Sequence, residues 1–304
     1  MNPLTGTDVL TASQFGPDLC SHLFAEARRM RKAVDEHGSL DRLGSKVLMN
    51  LFYEPSTRTS ASFAAAMLRL GGKVFPITEI RSSSVSKGET LEDTVKTLEQ
   101  YADVIVLRHP EAGSAQRASE IADIPIINAG DGTGEHPTQA LLDLFTIIEE
   151  KGSADGLTIT LLGDLKYGRT VHSLARLLSQ YDIRLNLVSP KSLGLPQAVR
   201  DDLSVPIAAH ESLAAVLPDT DVLYVTRVQR ERFARKADYD RAKGSYVVSP
   251  ESLTEAKDDL TVMHPLPRVD EIDARMDTDP RAAYFREVRN GLYVRMALLA
   301  LVLE

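Results

Sequence analysis

The chain has 304 residues, with 35 Lys and Arg against 43 Asp and Glu, and its formal net charge is −8. That length corresponds to about two domains of ordinary size. The acidic balance argues against a general nucleic-acid binder, which needs a phosphate-neutralising surface. It still allows a small anionic substrate, because a pocket can differ in charge from the rest of the surface.

A single cysteine, Cys20, excludes an intramolecular disulfide and a zinc site built from cysteines. It favours a reducing, cytoplasmic location. The first residues lack the basic and apolar regions of a signal peptide. The longest apolar run, over 296–303, is far too short for a membrane span, so we expect no membrane partner.

The first half of the chain alternates between helical and strand patterns. Helices are predicted where apolar residues recur every three or four positions, and strands where short apolar runs stand between polar turns. A polar loop over 79–88, which contains four serines, interrupts this series. In chain order the predicted elements are a helix over 18–37, a strand over 46–53, a helix over 59–70, a strand over 74–77, a helix over 90–102, a strand over 104–107, a helix over 115–122, a strand over 125–128 and a helix over 136–151.

The same alternation restarts after a Gly-Ser-Ala-Asp-Gly stretch, over 152–156, that we interpret as the joint between two domains. The second series consists of strands over 157–162, 184–188, 206–208, 222–225 and 261–263, and of helices over 168–181, 196–203, 212–217, 250–257 and 292–303. Alternating strands and helices predict parallel sheets covered on both faces. We therefore predict an α/β fold of two doubly wound parallel-sheet domains, with an active-site cleft between them.

The predicted domain boundaries follow the two series. The first domain comprises residues 1–137 together with a C-terminal helix at about 290–304. The second comprises residues 150–285. Ligands of doubly wound folds bind at the carboxyl ends of the strands, so the loops that follow the strands are where chemistry is expected.

The first such loop, Ser56-Thr57-Arg58-Thr59, opens a helix directly after a strand. Free N–H groups and the positive end of the helix dipole favour an anion there. The hydroxyls and the guanidinium add donors suited to phosphate. The alternative is an ordinary Ser/Thr helix cap beside a solvated arginine. The paired glycines and the lysine of a P-loop are absent.

Other strand ends carry further candidates. Arg108 follows a strand, and His136 follows a glycine-rich turn at the start of a helix, with Gln139 one turn further on. In the second domain, Arg169 opens a helix and Arg227 follows a strand. Each of these residues, taken alone, also fits an ordinary loop or helix cap.

The loop after the last strand contains two prolines, which fix the backbone and present the carbonyls of Leu266 and Pro267 rigidly. The turn over 163–168 lacks the G-x-G-x-x-G pattern, so a nicotinamide dinucleotide is not favoured. The histidines lack the spacing of a metal site, and no G-x-S-x-G nucleophile elbow occurs. We therefore predict no metal and no cofactor.

Together these segments resemble the aspartate/ornithine carbamoyltransferase family. The resemblance rests on residues 52–60, 136–139, 163–173 and 264–268, which occur in the family's order and span most of the chain. Ornithine enzymes carry His-Cys-Leu-Pro where this chain has His-Pro-Leu-Pro, and a Ser-Met-Gly segment that is absent here. Arg227 instead favours a second carboxylate on the acceptor, as in aspartate.

The resemblance implies transfer of the carbamoyl group of carbamoyl phosphate to the amine of L-aspartate, a step of de novo pyrimidine synthesis, with no cofactor. The implied carbamoyl-phosphate ligands are Ser56, Thr57, Arg58, Thr59, Ser83, Arg108, His136, Gln139, Leu266 and Pro267. The implied aspartate ligands are Lys87, Arg169, Arg227 and Gln229. The implied catalytic groups are Arg58, Thr59, Lys87, Arg108 and His136.

The family resemblance also implies a homotrimer with shared active sites, to which Ser83 and Lys87 come from a neighbouring subunit. Several serines stand between 82 and 86, so the choice of Ser83 is the less specific of the two. Regulatory subunits and dihydroorotase are candidate partners. Two other functions stay open at this point: a transcarbamoylase for another amine such as ornithine, and a catalytically silent paralogue.

Overall fold

A computed structural model of the chain describes residues 2–77, 88–228, 235, 239 and 244–304. The chain divides into two compact units. Unit 1 consists of Met1–Leu141 and Asn290–Glu304, and unit 2 consists of Leu142–Arg289.

Unit 1 is built on a parallel sheet with the strand order β2-β1-β3-β4. Its strands are β1 (Val47–Phe52), β2 (Lys73–Ile77), β3 (Val104–His109) and β4 (Ile126–Asp131). Its helices are α1 (Pro17–His37), α2 (Thr57–Arg69), α3 (Leu91–Leu98) and α4 (Ser114–Ile121). Strands β1, β3 and β4 are almost continuously buried, as expected of a sheet covered on both faces, whereas β2, at one edge of the sheet, is largely exposed.

Unit 2 is built on a parallel sheet with the strand order β7-β6-β5-β8-β9. Its strands are β5 (Thr158–Leu162), β6 (Arg184–Val188), β7 (Ile207–His210), β8 (Val222–Val225) and β9 (Thr261–Met263). Two further helices, α6 (Arg169–Leu178) and α7 (Gln197–Asp201), belong to this unit. Two long helices, α5 (Pro137–Lys151) and α8 (Tyr284–Leu303), each continue from one unit into the other.

The two parallel sheets confirm the predicted α/β fold class. In each sheet the chain winds outward in one direction and then in the opposite one, so each has a topological switch point. In unit 1 the switch point lies between β1 and β3, and in unit 2 it lies between β5 and β8. Doubly wound sheets bind ligands at the carboxyl ends of the strands that flank this point.

Two predicted helices of unit 2 are wrong. The segment over 212–217 forms a turn followed by a short 3-10 helix, Leu217–Asp219. Pro218 lacks the N–H that would extend an α-helix, and it disfavours a helical residue before it. The segment over 250–257 contains only the 3-10 helix Glu251–Leu253. Just before it, the Ser249 and Ser252 hydroxyls accept each other's backbone N–H, which competes with helix formation.

The C-terminal helix is longer than the sequence pattern indicates. It was predicted over 292–303, but α8 begins at Tyr284. Its first turns include charged residues such as Arg286 and Glu287, which break the apolar run on which the prediction rested. No helix in the described ranges is both long and apolar enough to cross a membrane.

Candidate active site

The turn after β1 brings the predicted phosphate ligands to the N-terminus of α2. Ser56 immediately precedes the helix, which begins at Thr57. Thr57 and Arg58 are exposed, whereas Thr59 is buried. The Ser56 hydroxyl accepts a hydrogen bond from Nη1 of Arg108, 3.3 Å away. A hydroxyl, two guanidinium groups and the positive end of a helix dipole therefore share one edge of the sheet, an arrangement suited to a phosphate group.

Arg108 reaches this turn because β3 lies next to β1, with Arg108 opposite Phe52 in the sheet. Its Nε lies 3.6 Å from Oε2 of Glu54. Its carbonyl accepts the N–H of Tyr53 at 2.8 Å. The Arg108 side chain is 15% exposed and that of Glu54 is 25% exposed, so the ion pair is only partly screened by water. These contacts hold a cation beside the predicted phosphate-binding turn.

His136 lies at the start of α5, after the turn that follows β4. Its side chain is buried, as is that of Gln139 on the next helical turn. The turn is held by Asp131, whose Oδ1 accepts the N–H of Glu135 at 2.7 Å and whose Oδ2 accepts the N–H of Gly113 at 2.8 Å. Since β4 lies next to β3, His136 follows the strand beside the one that carries Arg108.

In unit 2, Arg169 and Arg227 follow the two strands that flank the switch point. Arg169 is the first residue of α6 and is buried, and Arg227 comes two residues after the end of β8. The loops after these strands touch at Gly163, where φ is +119° and a Cβ would lie 2.2 Å from the Thr226 carbonyl oxygen. Only glycine fits that approach. The structure therefore assigns both arginines to the same edge of one sheet.

The loop after β9 presents Leu266 and Pro267 through a network centred on His264. The Leu266 N–H donates to Nδ1 of His264 at 2.7 Å, so Nδ1 carries no proton. The neutral ring then bears its proton on Nε2 and donates it to Oε1 of Glu271 at 2.7 Å. Oε2 of Glu271 accepts the N–H of Val269 and of Asp270. The Leu266–Pro267 peptide is cis, and Leu266 has a φ of 53°.

The ionisation of this pair follows from burial and hydrogen bonding. Burial lowers the pKa of His264, and the hydrogen bond to Glu271 only partly opposes that effect. Burial acts to raise the pKa of Glu271, but the hydrogen bonds from His264 and from the backbone outweigh it and leave this pKa lowered. The loop is therefore held by a neutral imidazole and an ionised carboxylate.

Lowering the pH from 7.5 to 5.5 is expected to destabilise the fold, because the buried His264 imidazole resists protonation. Since the pKa of His264 is lower in the folded state than in the unfolded state, the unfolded chain gains a proton first, below about pH 6.5. The stabilising contribution of the neutral ring is thus lost as the pH falls. Urea unfolding midpoints measured across this range should decline, and His264→Gln should make the decline shallower. His37→Gln is the matched surface control. If the urea midpoint of His264→Gln declined with pH as steeply as that of the wild type, the prediction would be contradicted.

Three predicted ligands, Ser83, Lys87 and Gln229, lie outside the described residues. The structure also identifies residues that sequence reasoning missed, namely Glu54, Asp131 and Glu271. Glu54 stands inside the predicted phosphate-binding segment but, as an anion, gave no reason to select it. Asp131 sits between two glycines, a pattern typical of an aspartate that holds a turn and the signal that could have found it.

Two family models match the chain. Residues 7–149 match the carbamoyl-phosphate-binding domain of aspartate/ornithine carbamoyltransferases, and residues 155–302 match the Asp/Orn-binding domain of the same family. The chain is also 52% identical, over 98% of its length, to the aspartate carbamoyltransferase catalytic subunit of Thermococcus kodakarensis, and the match covers 97% of that protein. It is 53% identical, over 99% of its length, to the multifunctional protein pyr1-3 of Dictyostelium discoideum, of which it spans only 14%.

Solved structures show the same similarity. The aspartate transcarbamoylase of Trypanosoma cruzi in complex with carbamoyl phosphate and aspartate has a TM-score of 0.96 and is 44% identical, covering 100% of this chain and 98% of its own. The catalytic subunit of M. jannaschii aspartate transcarbamoylase has a TM-score of 0.90 and is 48% identical, with 97% of each chain covered. Both similarities extend over at least 97% of this chain.

Proposed function

The chain belongs to the aspartate/ornithine carbamoyltransferase family, and we propose that it transfers the carbamoyl group of carbamoyl phosphate to the amine of L-aspartate. The products are N-carbamoyl-L-aspartate and phosphate, and the step belongs to de novo pyrimidine synthesis. One observation carries the proposal: an arginine lies at or after the carboxyl end of both strands of each switch point, Arg58 and Arg108 in unit 1, and Arg169 and Arg227 in unit 2. Two anionic ligands need such paired cations.

In the proposed mechanism, unit 1 is the carbamoyl-phosphate-binding domain. Ser56, Thr57, Arg58 and Thr59 bind the phosphate at the N-terminus of α2. Arg108 and His136, with Thr59, donate to the carbonyl oxygen, on which negative charge grows as the amine attacks. Donors held in place before the reaction stabilise that charge without reorganising. Gln139 binds the carbamoyl nitrogen, and Leu266 and Pro267 offer backbone carbonyls.

Unit 2 is the proposed aspartate-binding domain, in which Arg169 and Arg227 bind the two carboxylates and Gln229 is a further candidate ligand of aspartate. The attacking amine must lose a proton, and the departing phosphate can accept it, because the oxygen that gives up its bond to carbon keeps the electron pair and becomes basic. The carbamoyl carbon exchanges its bond to the phosphate oxygen for a bond to nitrogen. No step requires a protein nucleophile.

The acceptor is tested by steady-state assays with L-aspartate, ornithine and N-acetylornithine, each with carbamoyl phosphate. We expect turnover with aspartate, because Arg227 matches a second carboxylate and repels the side-chain ammonium of ornithine. Turnover with ornithine instead would assign the chain to the other branch of the family. Binding of a phosphonate bisubstrate mimic in a calorimeter, without turnover of any acceptor, would identify a silent paralogue.

A homotrimer with shared active sites is the oligomer that we propose. Unit 1 exposes several large apolar side chains, among them Leu68 at 60%, Phe75 at 59% and Tyr101 at 67%. Phe75 lies on the edge strand β2. Exposed apolar groups and an open sheet edge both favour a covering partner, and a second copy of the chain serves as one.

Subunit mixing tests the shared site. Lys87→Ala and Arg58→Ala are each expected to inactivate their own homotrimer. Mixing the two variants, after dissociation and reassociation, should restore activity, because Lys87 from one subunit can then complete a site whose Arg58 belongs to another. The same mixing of two Arg58→Ala preparations is the control. Failure to recover activity in mixed trimers that native mass spectrometry detects would show that each site is built from one chain.

Two further proposals concern the cellular setting. Cys20, the single cysteine of the chain, is a buried thiol, which supports the reducing environment of the cytoplasm. Some relatives are named multifunctional proteins. These names support association of this chain with further proteins, such as regulatory subunits or a dihydroorotase. Gel filtration of the purified chain with and without cell extract tests such association.

A further inference from the structure

Unit 2 buries three polar side chains that the proposed mechanism does not use. They are Asp143 on α5, Tyr224 on β8 and Glu287 on α8. Each is at most 1% exposed. Two carboxyl groups are costly to bury unless they are hydrogen-bonded and carry less than two negative charges. Their contacts therefore call for an explanation.

A chain of hydrogen bonds connects these residues to the loop after β9. The Tyr224 hydroxyl donates to Oδ2 of Asp143 at 2.8 Å. The carboxyl groups of Asp143 and Glu287 are hydrogen-bonded to each other. Oε2 of Glu287 accepts the backbone N–H of His264 at 3.0 Å. At the other end of this chain of hydrogen bonds, the Tyr224 hydroxyl interacts with Thr170, the residue after Arg169.

The protonation state follows from these contacts. Burial and the neighbouring Asp143 carboxylate raise the pKa of Glu287 well above its ordinary value. The raised pKa favours the protonated form of Glu287, which donates its O–H to Asp143. Asp143 accepts from Tyr224 as well, and two donors stabilise its ionised form. The pair thus carries one negative charge, which is shared along the chain of hydrogen bonds.

We propose that Glu287 is a positioning residue for the reaction proposed above, acting through the His264 amide on the loop that carries Leu266 and Pro267. Through Asp143 and Tyr224 it also links that loop to the α6 turn that carries Arg169. The inference rests on the proposed function, since it assigns importance to these loops because substrate binds there.

Leu266 needs such support. Its φ of 53° is a left-handed conformation that a branched residue adopts only when its surroundings hold it there. The loop is anchored on two sides, by Glu287 at the His264 amide and by Glu271 at the His264 ring. The Glu287 anchor is the one that reaches both predicted substrate-binding loops.

Two substitutions separate positioning from bulk stability. Glu287→Gln keeps an oxygen for the His264 amide and an N–H for Asp143, as the protonated carboxyl does. Glu287→Leu removes both. We expect Glu287→Gln to keep the KM values for both substrates within about twofold of wild type, whereas Glu287→Leu raises them roughly tenfold or more, since small displacements of binding groups are costly.

Thr220→Val is the matched control for loss of a buried hydrogen bond. The Thr220 hydroxyl is fully buried and lies 2.7 Å from that of Thr160, away from the loop. This variant should lower the melting temperature without changing either KM. If Glu287→Leu behaves in the same way, with unchanged KM values, its role is only structural and the proposal is overturned. Equal impairment of Glu287→Gln and Glu287→Leu would also overturn it.

Amide hydrogen exchange provides a readout that does not depend on activity. Peptides that contain 264–268 should exchange faster in Glu287→Leu than in Glu287→Gln or wild type. If Glu287→Leu does not accumulate as folded protein, Glu287→Asp, which withdraws the carboxyl by one methylene, replaces it in both measurements. If the wild-type chain does not turn over aspartate, the proposed function fails while hydrogen exchange still decides the positioning role: unchanged exchange over 264–268 overturns it.

Discussion

Arg108→Met is expected to lower kcat by roughly 10²–10³-fold, the usual effect of removing one donor from a developing oxyanion. Arg108 is held at the unit 1 switch point between the Ser56 hydroxyl and the Glu54 carboxylate. Methionine keeps much of the apolar stem and removes the charge. Steady-state kinetics with saturating carbamoyl phosphate and L-aspartate measure the loss.

The remaining Glu54 carboxylate complicates that result, since it would repel phosphate once its cation is gone. The double variant Arg108→Met/Glu54→Gln removes this repulsion. We expect it to recover part of the affinity for carbamoyl phosphate but not the lost kcat. Arg117→Met is the matched control, because Arg117 pairs with Glu111 on the surface of the same unit. A full recovery of kcat in the double variant would show that Arg108 only neutralises the Glu54 carboxylate and does not stabilise the transition state.

Local sequence patterns predicted most of the strands and the loops that carry candidate ligands. Ser56 to Thr59 could be recognised because a strand, a run of hydroxyl donors and a helix start stand next to one another in the chain. The same applies to Arg169 and Arg227, each of which comes shortly after an apolar strand. Their meeting at one sheet edge depends on the strand order, which no local pattern contains.

The acidic residues show why the rest could not be predicted. Glu54, Glu271 and Glu287 look like any surface carboxylate in the sequence, and their roles come from partners that the tertiary fold supplies. Glu287 in particular interrupts the apolar pattern of α8, so the helix was predicted to start after it. A buried polar network requires such an interruption, which is also what made the helix start hard to locate.

Arg169→Met is expected to raise the KM for L-aspartate by roughly 10²-fold while leaving the KM for carbamoyl phosphate nearly unchanged. A charge-assisted hydrogen bond is worth about 1.5–3 kcal/mol, and each 1.4 kcal/mol corresponds to about tenfold in affinity. Arg169 is buried at the first residue of α6, so water replaces it poorly. Steady-state kinetics with each substrate varied in turn measure the two KM values.

Arg176→Met provides the control on the same helix, since Arg176 pairs with Asp202, away from the start of α6. It should leave both KM values unchanged. The outcome also tests whether each unit binds a different substrate. If Arg169→Met raised the KM for carbamoyl phosphate as much as that for aspartate, unit 2 would not be a dedicated aspartate-binding domain. A selective loss of aspartate affinity is the result expected if its switch-point arginines recognise the acceptor carboxylates.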